Sequence, residues 1–71
     1  SAYIVDKGAQ LGVTCTAQVV CETGEDGVPI PTRTTITGAM TPAQKEAMIR
    51  CVTQELAIPR SGQIYRNEEV P

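Results

Sequence analysis

Cys15, Cys21 and Cys51 are the side chains of this sequence best equipped for chemistry, and their spacing decides which chemistry is open to them. A zinc site takes four ligands, usually in close pairs, and three well-separated cysteines in a chain without histidine do not supply them. A cysteine nucleophile needs a neighbouring base, and the usual imidazole is missing. No Cys-x-x-Cys redox pair occurs either. Gly24 and Gly27 belong to no phosphate-cradling motif. The acidic cluster Glu22, Glu25 and Asp26 lacks the alternating oxygen ligands of a calcium loop and reads as a solvated turn. The expectation is therefore no catalytic set, no metal site and no cofactor.

What remains for the cysteines is cross-linking or burial. Cys15 and Cys21 lie on one alternating stretch, which puts them about 20 Å apart if extended, and a disulfide needs Cα atoms within about 7 Å. Either can pair only with Cys51, closing a loop of about 30–36 residues worth about 3–4 kcal/mol in the chain-entropy view. The alternative is three reduced thiols in the core, where free cysteine is common.

The elements that must position these thiols are legible in the patterning. From Leu11 to Glu22 the odd positions Leu11, Val13, Cys15, Ala17, Val19 and Cys21 are apolar and the even ones mostly polar, the period-two mark of a half-buried strand. Thr23-Gly24-Glu25-Asp26-Gly27 signals a hairpin tip. A return strand over 28–37 turns Val28, Ile30, Thr32, Thr34 and Ile36 to one face. Pro29 and Pro31 lack amide donors, so its first half must be an edge or leave the sheet.

Thr41-Pro42-Ala43-Gln44 starts a helix with a capping hydroxyl, a proline at the first turn and a reciprocal glutamine. The helix is expected over 42–56, with Ala47, Met48, Cys51, Val52 and Leu56 as its apolar stripe, and Pro59 ends it. Residues 63–66 form a last short strand and 67–71 a tail, while Ala2-Tyr3-Ile4-Val5 reads as an edge strand or loose arm within 1–10. Residues 1–71 thus make one small domain: α+β, a two-layer sandwich of a small antiparallel sheet with one helix packed on one face.

In that arrangement Cys51 is nine residues into the helix, about 13 Å along its axis, over the middle of the sheet and nearer Cys15 than Cys21. The expected contact is Cys15–Cys51, bonded if oxidised, with Cys21 the free thiol.

Composition narrows the partners. A net charge of −2 with six scattered cations and two aromatic residues does not suit nucleic acid, which asks for a concentrated basic surface and stacking rings. No apolar run approaches the about 20 residues of a membrane span, so no membrane insertion is expected. No signal peptide is visible, and a chain opening at Ser1 rather than Met reads as processed or excised.

Residues 13–27 (VTCTAQVVCETGEDG), the helix with Cys51-Val52 and Leu56-Ala57-Ile58-Pro59, and the final Ile64-Tyr65 resemble the C-terminal domains of TonB, TolA and related energy-transducing envelope proteins. The likeness covers about 50 of the 71 residues, and Thr14-Cys15-Thr16 matches a strand cysteine that some TolA-type domains bond to a helix cysteine. It implies a non-enzymatic interaction module in the bacterial periplasm or envelope, docking a protein partner by strand addition to a sheet edge. Two other readings stand beside it. One is a cytoplasmic or phage-encoded accessory subunit with reduced core cysteines. The other is a small inhibitor presenting 27–33 as a stiff loop, with Val28, Ile30 and Arg33 offered to a protease.

Overall fold

The computed structural model describes residues 2–69. In chain order the elements are α1 (Ala2–Gln10), β1 (Cys15–Thr23), β2 (Pro29–Gly38), α2 (Pro42–Leu56), a single 3-10 turn (Arg60–Gly62) and β3 (Gln63–Arg66). The architecture is α+β as the patterning implies, with helices packed on one face of a three-stranded sheet ordered β1-β2-β3. It differs from expectation in two places: a second helix, and a sheet of mixed direction.

The second helix takes the residues read as an edge strand or arm. Tyr3-Ile4-Val5 is β-prone by itself, but Ile4 and Gly8, one turn apart, are both buried on the side of α1 that meets the core. Gly8 is there for closeness: a Cβ on it would stand 2.7 Å from Cys15 Sγ and 3.3 Å from Met48 Cε. The helix closes with Gly12 at φ +82°, Val13 N–H donating to the Gly8 carbonyl at 2.7 Å and Gly12 N–H to that of Ala9 at 3.1 Å. This is the paired capping of a Schellman motif, whose left-handed residue is cheapest as glycine.

β1 and β2 pair antiparallel from Cys15↔Gly38 to Thr23↔Pro29, around a tip in which Gly27 takes φ +81° and Asp26 Oδ1 accepts from Val28 N–H. β3 pairs parallel to β2, Thr34↔Gln63 to Thr37↔Arg66. The direction follows from α2, whose capping box is formed as the sequence requires, Thr41 and Gln44 satisfying each other's backbone amides. A helix of fifteen residues carries the chain about 22 Å back along the sheet, so the next strand starts beside Thr34, partway back along β2, and runs in the same direction.

Ile4, Val13, Cys15, Ile36, Met48, Val52 and Ile58 form the core between the helices and the sheet. Ile49, which the expected stripe omits, is also buried, whereas Leu56 is only partly so. The core occupies one half of the sheet. Ten residues of β2 extend about 33 Å against about 22 Å for α2, so the hairpin outruns the helical layer. From Val20 to Thr23 and from Val28 to Ile30 every residue is exposed. β3 reaches only Thr34–Thr37, so the half of β2 carrying Pro29 and Pro31 has a strand on one side alone, as its missing amide donors demand.

Candidate functional site

The projecting half of the hairpin gathers most of the features that can recognise another molecule, and its geometry turns on one irregularity. Val20 pairs with Arg33 and Cys21 with Pro31, leaving Thr32 as an extra residue in β2. Its hydroxyl donates to the Val20 carbonyl at 3.3 Å. A shift of one residue sends the side chains beyond it to the other face. The expected face placed Ile30 with Thr34 and Ile36. In the structure Ile30 lies opposite Glu22, and directly paired residues share a face, so Ile30 stands on the sheet surface away from the helices.

That surface holds Val20, Ile30 and Ile64, exposed by 49%, 51% and 54%. Arg33 stands among them: it pairs directly with Val20, and two residues on Thr35 pairs with Ile64. A shallow hollow of about 240 Å³ lies between Gln18, Val20, Arg33, Thr35 and Ile64. The rest of the surface is polar (Thr16 and Thr37), as suits an uncovered antiparallel face. Val20, Ile30 and Ile64, with Arg33 on the strand between Val20 and Ile64, therefore form a defined patch on a wet sheet.

The edge beside this patch is also open. The carbonyls of Gln18 and Val20 face β2, where they accept from the hydroxyls of Thr34 (2.8 Å) and Thr32 (3.3 Å). Backbone groups alternate sides along a strand, so Val19 and Cys21 turn their N–H and C=O groups outward. Neither has a backbone partner on that side among the described residues. Polar groups on a bare edge are a template for another strand.

Of the three proposed loop residues, Ile30 and Arg33 come together on the open face and Val28 stands at the end of the tip, 54% exposed. The 27–33 segment is not a free loop, however. From Pro29 it is a strand paired with β1, since the alternating prolines need only that the other side be unpaired.

The expected Cys15–Cys51 bond is not formed in this structure, in which all three cysteines are free thiols. Cys15 is buried against α1, its Sγ 3.9 Å from the Ile4 carbonyl, a neighbour that a reading without α1 lacks. Burial pushes the Cys15 thiol up. Cys51 is half-buried in α2, and Cys21 is exposed on the projecting strand.

The residues missed by sequence reasoning are Val20 and Ile64, which break the polar side of their strands; that exception was the available signal. No group of His, Cys, Asp or Glu is placed to hold a metal ion, and no helix is long and apolar enough to cross a membrane, among the described residues. No protein-family model matches the chain, and neither a curated protein nor a solved structure matches it significantly.

Proposed function

We propose that this chain is a non-enzymatic protein-interaction module that docks an extended segment of a partner protein along the outer edge of β1, and that it works in the bacterial envelope. The observation that carries the docking is the projecting hairpin, whose outward Val19 and Cys21 backbone groups border the half-exposed Val20, with Ile30 one strand and Ile64 two strands further across the open face. An added strand would take its main-chain hydrogen bonds from the edge, and its alternate side chains would reach the open face. Arg33 there favours a partner with an acidic side chain at one such position. The envelope assignment rests on the TonB- and TolA-type resemblance of the hairpin, the helix and the last strand.

Extended peptides selected from a displayed library against the wild-type domain test the docking. Binding of the selected peptides should be lost in Cys21→Pro, which removes an outward donor while sparing the β1–β2 ladder, provided circular dichroism shows the fold retained. Selected peptides that bind Cys21→Pro and Val20→Lys as tightly as wild type would refute the site. Fractionation of cells making the full-length protein tests the compartment.

A further inference from the structure

At the end of the sheet away from the hairpin tip, a cavity of about 340 Å³ opens where β2, the start of α2 and the end of β3 meet. It lies beyond the carboxyl ends of two parallel strands, the place where open sheets with helical crossovers take their ligands, and its volume is within the about 300–1,000 Å³ of small-ligand sites. Met40, Pro42 and Tyr65 provide apolar walls. The charged groups are Lys45 and Glu46 from α2 and Arg66 from β3.

Their pairing leaves a positive balance. Glu46 is held by both guanidinium nitrogens of Arg60, at 2.6 and 3.3 Å, which also draws its carboxyl below the usual range. Arg66 meets Glu68 at 3.1 Å on the exposed surface. Lys45 has no carboxylate partner among the described residues, and its Nζ lies 5.7 Å from the centre of the Tyr65 ring. The Tyr65 hydroxyl is turned aside to Gln63 Oε1 at 2.7 Å, so the ring rather than the phenol faces the cavity. Asn67 Oδ1 accepts from Met40 N–H at 3.0 Å, which ties the strand end to the helix entrance and leaves the amide nitrogen as a donor. Of the first-turn amides of α2, those of Gln44 and Lys45 are engaged by Thr41, and Pro42 has none to offer.

We propose that this cavity binds an organic carboxylate with a compact apolar body, the acid held by Lys45 with Arg66 and Asn67 and the body laid against Tyr65, Met40 and Pro42. Such a group is found in a small free acid and in the C-terminal residue of a polypeptide. The site is separate from the β1 edge, and its success or failure is independent of the docking proposed there.

The test is a titration of ¹⁵N-labelled protein with 3-phenylpropanoate and with its uncharged amide. A second pair of arms uses an acetylated tripeptide ending in phenylalanine, as the free acid and as the C-terminal amide, to separate a small acid from a chain end. Saturable shifts at Met40–Lys45 and Arg66–Asn67 are expected for at least one acid, binding about tenfold or more tighter than the matching amide and weakening with added salt. Lys45→Met should lose that preference, while Lys7→Met, which removes the cation over the Tyr3 ring on α1, should keep it. Acids and amides binding alike, shifts mapping elsewhere, an unchanged preference in Lys45→Met, or the absence of saturable shifts for either acid would each overturn the proposal.

Discussion

Gly8→Ala puts the helix that the sequence hides to a quantitative test. The added methyl would sit 2.7 Å from Cys15 Sγ, 3.1 Å from the Val13 carbonyl oxygen and 3.3 Å from Met48 Cε. Ordinary contact is about 3.5–4.0 Å, so the sulfur overlap is about 1 Å, and Cys15 is buried beneath α1 with little room to retreat. Overpacking of this kind costs about 1–3 kcal/mol, against about 0.5–1 kcal/mol gained when alanine replaces glycine inside a helix. The net expectation is a loss of about 1–2 kcal/mol, lowering the melting temperature by about 5–15 °C for a domain of this size. Cys15→Ala removes the atom most closely approached. The double variant should therefore be more stable than the sum of the singles by about 1 kcal/mol, read from thermal melts followed by circular dichroism. If residues 2–10 were an arm or an edge strand, Gly8→Ala would be neutral or stabilising and uncoupled from Cys15, and either result would refute the packing described.

Thr41→Ala removes one half of the capping box and should cost about 1 kcal/mol in urea unfolding; Thr53→Ala, an exposed helix hydroxyl bonded to the Ile49 carbonyl and to Gln63, should cost less. Thiol labelling of the reduced native protein should modify Cys21 first, Cys51 more slowly and Cys15 only on unfolding, following their exposure; rapid labelling of Cys15 would contradict its burial. Cys15 and Tyr65 are both held above their ordinary values of 9.0 and 10.0, chiefly by burial. An acid held up in the folded state contributes its full stability below the unfolded value and loses it as pH climbs through the folded one. Stability under reducing conditions should therefore be level towards pH 9 and fall above it, the first part of the fall disappearing in Cys15→Ala; a urea midpoint unchanged to pH 11 would count against both burials.

How much was readable depended on whether the deciding forces were local. The α2 boundaries follow from Thr41, Pro42 and Gln44, which act on their own turn, and the hairpin tip from Asp26-Gly27. α1 was hidden because its four-residue β-prone run is overruled by non-local burial of Ile4 and close approach at Gly8, which alone reads as a turn signal. The parallel course of β3 was recoverable from the length of α2, a single long crossover between two strands. The bulge at Thr32 was not, since no residue type marks it, and it moved Ile30 from the supposed buried face into the candidate site. The surroundings of Cys15 were hidden for the same reason as α1: one of its neighbours is a helix absent from the pattern.

The central claim, that a partner adds a strand to the outer edge of β1, is tested most directly by amide hydrogen exchange with and without a selected peptide. The outward amides of Val19 and Cys21 should exchange quickly in the free domain and become strongly protected in the complex. The inward amides of Gln18 and Val20, already facing β2 in the ladder, should change much less. Protection confined to other segments, with Val19 and Cys21 exchanging as before, would contradict it.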